Sequence, residues 1–278
     1  MSNAQKVAVV TGSSRGIGFE ISKILARNGF LTYATMRNPQ KANNFIDIVA
    51  QEKIPLKTIQ LDVTDDASVY GAIQSIISQS GRIDVLINNA GYGLTGAFED
   101  LTIDEIKQQY ETNFYGVVRV TQAVLPIMRK QKSGKIVNIS SVAGRFGFPG
   151  SSAYVSTKFA LEGLSESMAY ELDPFGIEVI LVEPGVIKTD FEFHLAKKSQ
   201  ETSSPYSSMT KKMEDVFTQL MQQNSSPPSL VANVVLEAVT SKNPNFRYLA
   251  GKDAEKWIDQ KRNVSDSEFF NTMKQSFL

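Results

Sequence analysis

The sequence predicts an α/β fold: a doubly wound parallel sheet of about seven strands, helices on both faces, and a lid after the sixth strand. Three observations predict it. Short apolar, β-branched-rich runs alternate with amphipathic helical stretches from residue 6 to about 182. Within the runs, apolar and polar residues do not alternate, which is how strands buried on both faces read. The chain has 278 residues, 42% of them hydrophobic, enough for one large domain with a substantial core.

Taken in order, the strands fall at Val7–Val10, Phe30–Thr35, Leu56–Leu61, Val85–Ile87, Lys135–Ile139 and Glu178–Val182. Helical patterns occupy 16–28, 40–52, 66–79, 103–130 and 154–173. Strand–helix alternation at this spacing implies right-handed crossovers and hence parallel strands. After Pro184 the pattern changes. Residues 188–228 are rich in Ser, Lys, Gln and Thr and contain Pro205 and Pro227-Pro228. This segment leaves the carboxyl end of a strand, where open α/β sheets bind ligands, so we read it as a substrate lid carrying short helices. A C-terminal extension, about 229–278, adds a helix to about Thr240, a last strand at Phe246–Ala250, a helix at 253–262, and a polar tail containing Phe269, Phe270 and Phe277. No repeat interrupts residues 1–278, which read as a single domain.

Composition narrows the chemistry. There is no cysteine, which removes thiol nucleophiles, disulfides and thiolate metal sites. His194 is the one histidine, so no His-rich metal site is expected. Acid–base work must come from Tyr, Lys, Asp or Glu, or from a cofactor. The 29 basic and 29 acidic residues cancel, giving no electrostatic footprint for nucleic acid. No run approaches the roughly 18 apolar residues of a membrane span. The apolar run from Val7 is too short for a signal peptide, and a cytoplasmic protein is expected.

The first strand runs into Thr11-Gly12-Ser13-Ser14-Arg15-Gly16-Ile17-Gly18 and then a helix. Glycines permit a sharp turn and close approach to a phosphate, and the helix N-terminus offers free N–H groups and a positive dipole end. On the first strand of a β-α-β series, this loop reads as a dinucleotide cradle of Rossmann type. The second strand then decides the cofactor. An NAD site usually places an acid there for the ribose 2′-hydroxyl. Here Met36-Arg37 follow, with no acid, and Arg37 together with Arg15 suits a 2′-phosphate. NADP(H) is therefore expected.

Tyr154 and Lys158 lie four apart and share a helix face. A free phenol titrates near 10. A cation at about 5 Å, with an effective dielectric near 20, stabilises the phenolate by roughly 3 kcal/mol, or about two pKa units. Beside an oxidised nicotinamide, that suffices for a proton donor and acceptor near neutrality. Tyr-x-x-x-Lys is a weak motif alone, but it has company. Ser140-Ser141 end one strand, Asn88-Asn89-Ala90-Gly91 end another, Asn113 sits within the helix 103–130, and Pro184-Gly185 end a third strand.

Together, Thr11–Gly18, Asp62, Asn88–Gly91, Asn113, Ser141, Tyr154, Lys158 and Pro184-Gly185 resemble the short-chain dehydrogenase/reductase family over roughly residues 6–190. Arg37, Gln60-Leu61-Asp62-Val63 and Phe246-Arg247-Tyr248 further resemble its 17β-hydroxysteroid and retinol dehydrogenase branch. The resemblance implies an NADP(H)-dependent oxidoreductase that interconverts a carbonyl and an alcohol. It implies that Tyr154 is the acid/base, that Lys158 lowers its pKa and binds the nicotinamide ribose, that Ser141 hydrogen-bonds the substrate oxygen, and that Asn113 holds a water relaying protons to Lys158. Asp62 and Val63 would contact the adenine, Asn89, Ala90 and Gly91 would line the cofactor cleft, and Ile187 and Thr189 would follow Pro184-Gly185 along it. Asn88 reads as structural.

Phe146, Phe148, Leu94, Val186, Phe191 and Phe193 are candidate pocket walls and suggest an apolar substrate, steroid- or retinoid-like. His194 reads either as a substrate contact or as a surface residue. Val117, Val120 and Val124, with Phe159 and Leu164, offer apolar positions for the helix pairing of a homodimer that the resemblance implies. A non-catalytic NADP(H)-binding sensor on the same fold is the alternative. Its expected mark, loss of Ser141, Tyr154 or Lys158, is not present.

Overall fold

A computed structural model of the chain describes residues 5–41, 43–189, 193–196, 204–223 and 225–277. Seven parallel strands form the central sheet: β1 (Val7–Val10), β2 (Leu31–Met36), β3 (Leu56–Gln60), β4 (Val85–Asn88), β6 (Gly134–Ile139), β7 (Ile177–Pro184) and β9 (Arg247–Ala250). Their order is β3-β2-β1-β4-β6-β7-β9. Two short strands, β5 (Gly93–Thr95) and β8 (Phe193–Leu195), pair separately and parallel. The order reverses between β1 and β4, so the crevice at their carboxyl ends is the ligand-binding position of such a sheet.

The inner strands, β1 and β4 above all, are buried on both sides, which explains their unbroken apolar runs. By contrast β3, read the same way from the sequence, has Leu56 buried and Lys57 and Gln60 exposed, because it lies at the edge of the sheet. Ala8 and Val10 face one layer, packed with Ile21 and Leu25 of α1 (Gly16–Arg27) and Val231, Val235 and Val239 of α8 (Pro228–Thr240). Val7 and Val9 face the other, packed with Val69, Ile73 and Ile76 of α3 (Asp66–Ser80) and Val120, Val124 and Met128 of α5 (Gly116–Gln131). Val117, Val120 and Val124 are buried at 5%, 0% and 0% exposure. They belong to the core and offer no dimer surface, because α5 turns that stripe onto the sheet.

Two further elements depart from the sequence reading. The expected helix 103–130 is α4 (Ile103–Tyr110) and α5 joined by a π-turn, Glu111–Tyr115. Such a bulge rotates side chains inward and is frequent at functional sites. The polar tail folds as α10 (Asp266–Phe277), because Phe269 and Met273 find a cluster with Val142, Phe146 and Ile258. Among the described residues, the segment 188–228 read as a lid holds one long helix, α7 (Ser207–Gln223), in place of the expected short ones. Ser204 donates to Asp100 at 2.7 Å and Tyr206 to Glu99 at 2.8 Å, tying its start to the body.

A buried polar chain fixes the remaining long helix, α6 (Ser152–Leu172). Asn88 donates to Asn138 at 2.8 Å, and Asn138 donates to Ser165 on α6 at 2.8 Å. Buried side-chain bonds of this kind favour one register and orientation. Asn88 is thus structural, as its position suggests.

Candidate active site

A cavity of about 560 Å³ opens along the carboxyl ends of the strands. At the β1 end, Gly12 has φ +66°, and a Cβ there would stand 2.7 Å from the Ala90 backbone. Only glycine fits that turn. The loops after β1 and β4 are laced together. Thr11 Oγ1 accepts from the backbone N–H groups of Asn89 and Ala90, and the Asn89 amide donates to Thr11 O at 2.9 Å and Gly12 O at 3.1 Å. Gly12, Ser14, Arg15, Gly16 and Ile17 line the cavity, as do Asn89, Ala90 and Gly91. Ser13 and Gly18 do not. The Ser13 hydroxyl turns inward to Val10 O at 2.8 Å, and Gly18 is small because a Cβ would meet Asn89 Nδ2 and Gly12 O at 2.5 Å.

Met36 and Arg37 close the β2 side. Arg37 is exposed and, among the described residues, has no hydrogen-bond or ion-pair partner. Asp62 and Val63 line the next stretch. One Asp62 oxygen already accepts from Thr64 N and Oγ1 in an Asx turn, leaving its neighbour Asp65 to cap α3 through Ser68 N. At the β7 end, Pro184, Gly185, Ile187 and Thr189 line the wall. Asp253 of α9 (Lys252–Asn263) accepts from Val186 N at 2.6 Å, and a Cβ on Gly185 would collide with that carboxylate.

Tyr154, Lys158 and Ser141 meet on one wall. The Ser141 hydroxyl is hydrogen-bonded to the Tyr154 side chain. Lys158 donates to Ile139 O at 2.8 Å and lies 5.7 Å from the centre of the Tyr154 ring. Burial pushes the Tyr154 phenol up to about 12, with the Ser141 bond pulling it back. Burial also pulls Lys158 down to about 8, against the neighbouring Glu162 carboxylate. The expected lowering of the phenol is therefore not seen in the protein alone: desolvation disfavours the charged forms of both groups, and the one pull downward on the phenol comes from Ser141.

Asn113 lies in the π-turn, 1% exposed and behind the cavity wall rather than on it. Its side chain accepts from Tyr92 N at 3.1 Å and donates to Tyr92 O at 2.9 Å. That clamps the strand-β4 loop, and the same amide reaches Thr157 Oγ1 of α6 at 3.4 Å. His194, on β8, is both exposed and on the cavity rim, edge-on to Tyr92 at 5.2 Å.

Of the expected pocket walls, Phe146, Phe148 and Val186 line the cavity, and Leu94 packs away against Ala153 and Ala196. Phe191 lies outside the described residues, as does the side chain of Phe193. The sequence reading missed Phe217, Leu220 and Met221 of α7, and Trp257, Met273 and Phe277 beyond β9. Their signal was available in the helical spacing of 217, 220 and 221 and of 269, 273 and 277.

Residues 6–200 match the family described as short chain dehydrogenase. The chain belongs to this family. Curated relatives of this short-chain dehydrogenase include Oxidoreductase BOA17 of Botryotinia fuckeliana, 40% identical over 93% of each chain. 3-Ketodihydrosphingosine reductase of Bacteroides thetaiotaomicron is 36% identical over 88% of each chain. Retinol dehydrogenase 8 of Bos taurus is 35% identical over 89% of this chain and 82% of its own. Among solved structures, a short-chain dehydrogenase from Streptomyces avermitilis is 34% identical and superposes with a TM-score of 0.84 over 99% of this chain and 98% of its own. Several matched structures are NADP complexes, among them ElxO, 29% identical with a TM-score of 0.73 over 88% and 97%. Among the described residues, no helix is long and apolar enough to cross a membrane. Within the same residues, no group of three or more His, Cys, Asp or Glu is arranged to hold a metal ion.

Proposed function

We propose that this dehydrogenase uses NADP(H) to interconvert a ketone or aldehyde with its alcohol, with Tyr154 as the acid/base and an apolar substrate. The observation that carries the reading is the Ser141–Tyr154 hydrogen bond inside the cavity, with Lys158 one turn further along the same helix. The cradle suits a dinucleotide: a Cβ at Gly12 would fill it, α1 presents its N-terminus to it, and Arg37 stands at its β2 edge without a competing carboxylate.

Bound there, NADPH supplies the hydride. Tyr154, protonated throughout the neutral range, donates its phenolic proton to the carbonyl oxygen as charge develops on it. Ser141 donates a hydrogen bond to the same oxygen. Lys158, cationic below about pH 8, stabilises the phenolate left behind. Phe146, Phe148, Phe217, Trp257 and Phe277 exclude water from the exchange and suit a hydrocarbon substrate. The names of two relatives point the same way, since retinol and 3-ketodihydrosphingosine are largely hydrocarbon. Asn113 clamps the loop that carries Tyr92 and, as the family resemblance implies, holds a water that relays protons to Lys158. With the α5 valines buried, exposed aromatic residues such as Tyr115 before α5 and Phe159 and Tyr170 on α6 are positions open to the implied homodimer.

The test is oxidation of NADPH, with NADH in parallel, against retinals, steroids, long-chain ketones and small aldehydes. NADPH-selective turnover is expected on the apolar members. Tyr154→Phe abolishes it and leaves NADPH affinity within a few-fold. Turnover retained by that variant removes Tyr154 as the acid/base.

A further inference from the structure

The face of α6 that carries Tyr154 and Lys158 continues one turn further to Glu162. That residue is 6% exposed, an unusual setting for a carboxylate. Its surroundings come from three other elements. Arg247, which opens β9, donates from Nε to Glu162 Oε2 at 3.1 Å, from Nη2 to Glu166 at 2.9 Å, and lies 3.3 Å from Glu183 Oε1 on β7. Arg145, just beyond β6, holds both oxygens of Glu183 at 3.0 and 3.2 Å. Glu183 is fully buried, and burial, then Glu162, pushes its carboxyl up while Arg145 and Arg247 pull it down. Three cations (Lys158, Arg145, Arg247) thus neighbour three carboxylates (Glu162, Glu166, Glu183).

The arginines satisfy Glu183 completely but Glu162 only by half. Glu162 Oε1 is buried with no hydrogen-bond partner among the described residues. It lies 3.2 Å from the place a Cβ on Gly144 would occupy, and Ser140 Oγ lies 2.9 Å from the same place, also buried and unpartnered. Ser140 lines the cavity. So the bare oxygen lies beside Gly144, near a serine that faces the cavity. A buried carboxylate oxygen left bare requires compensating positive charge. Lys158 is the cation one turn away on the same face. The interaction raises Lys158 against the pull of burial.

We propose that Glu162 is a positioning residue for the acid–base pair: tethered by Arg247, its carboxylate keeps the Lys158 ammonium charged beside Tyr154. The proposal rests on the catalytic reading of Tyr154 and Lys158 above. It extends Tyr-x-x-x-Lys to Tyr-x-x-x-Lys-x-x-x-Glu, and it gives Arg247 a purpose at the site without touching substrate.

The test reads Lys158 itself, without substrate. Competitive labelling with acetic anhydride across pH, followed by mass spectrometry of the Lys158 peptide, gives its titration midpoint, expected near 8. A carboxylate about 6 Å away at an effective dielectric near 20 is worth about two units of midpoint. Glu162→Gln is expected to lower the midpoint by at least about one unit, and Glu162→Asp, which keeps the charge one methylene further back, to lie between. A purely structural glutamate would leave the midpoint where it is, and that result overturns the proposal. Should the glutamine variant not fold by circular dichroism, the aspartate variant carries the test, and an unmoved midpoint there overturns it equally. Turnover surviving Tyr154→Phe removes the catalytic reading and the proposal with it. An unmoved midpoint beside an inactive Tyr154→Phe removes the proposal alone.

Discussion

Arg37→Asp puts the cofactor assignment under the sharpest strain. Arg37 follows β2 at the cavity edge, exposed, with Met36 before it and Asn38 after it, so nothing acidic competes for a 2′-phosphate. A guanidinium fork on phosphate contributes about 1.5–3 kcal/mol. Aspartate in its place adds repulsion, which at about 5 Å runs from roughly 1 kcal/mol in water to about 3 at an effective dielectric of 20. Because the site is open to solvent, the lower half of both ranges applies. The sum is about 3 kcal/mol, or roughly a hundredfold weaker NADPH binding. NADH has no phosphate to lose, and an aspartate can accept from its ribose hydroxyl for about 1 kcal/mol, so its affinity holds or improves a few-fold. The NADPH-to-NADH preference should therefore fall by two to three orders of magnitude. Nicotinamide fluorescence titration of both cofactors measures it, at fixed ionic strength because the phosphate contribution is screened. Arg15, also on the cavity wall, keeps the loss finite. A preference that moves by less than about threefold refutes the 2′-phosphate argument outright.

Other expectations are independent of that one. On the proposed mechanism, reduction requires Tyr154 protonated and Lys158 charged, and Lys158, near 8, titrates first. As pH rises through 8 the ammonium is lost, so kcat/KM for varied NADPH should fall above pH 8, and a profile flat to pH 10 would remove the lysine from the mechanism. Gly12→Ala places a methyl 2.7 Å from the Ala90 backbone at φ +66°. With about 1–2 kcal/mol of backbone strain alone, NADPH binding should weaken about tenfold or more, and unchanged binding would show that this turn is not the cradle. Phe269→Ala empties a position 4% exposed, 5.2 Å from the Phe146 ring centre. The cost is about 3–5 kcal/mol, or roughly 6–15 °C in Tm for a domain of this size, measured by scanning calorimetry. A shift within 2 °C or so would mean that α10 is not packed as described.

What the sequence made legible was whatever depends on local spacing. The sheet could be read because Val7 and Val9 face one helical layer and Ala8 and Val10 the other, so burial on both sides is written into consecutive residues. Tyr154 and Lys158 could be read because four residues make one helical turn. The π-turn could not. Glu111–Tyr115 contains no Gly or Pro, and the bulge holds Asn113 against the backbone of Tyr92, 21 residues earlier. α10 hid for a similar reason. Its stripe of Phe269, Met273 and Phe277 is spaced by polar residues, and Phe146, whose ring meets Phe269, lies far back in the chain. The glycine motif was legible as a turn, but spacing does not say which of its members face a ligand. Gly12 and Gly16 do, and Gly18 is small for the sake of Asn89.

The charged cluster behind Tyr154 shows where that boundary falls. Lys158 and Glu162 are adjacent by helical spacing, and nothing in the spacing marks Glu162 as more than a solvated face residue. Its meaning depends on strand register. β9 pairs with β7 so that Arg247 aligns with Leu181, which puts Arg247 on the sheet face of Glu183 two residues along. That register brings a guanidinium from the last strand to a helix that began almost a hundred residues earlier, and converts an exposed-looking glutamate into a buried one. A register slip of one residue would turn Arg247 to the other face and leave Glu162 and Glu183 facing each other with Arg145 alone between them. Two buried carboxylates with one cation would protonate rather than stay ionised. The late Phe-Arg-Tyr segment is therefore tied to the α6 carboxylate one turn beyond Lys158 by the pairing of the sheet's edge strand, a link that only the assembled topology can express.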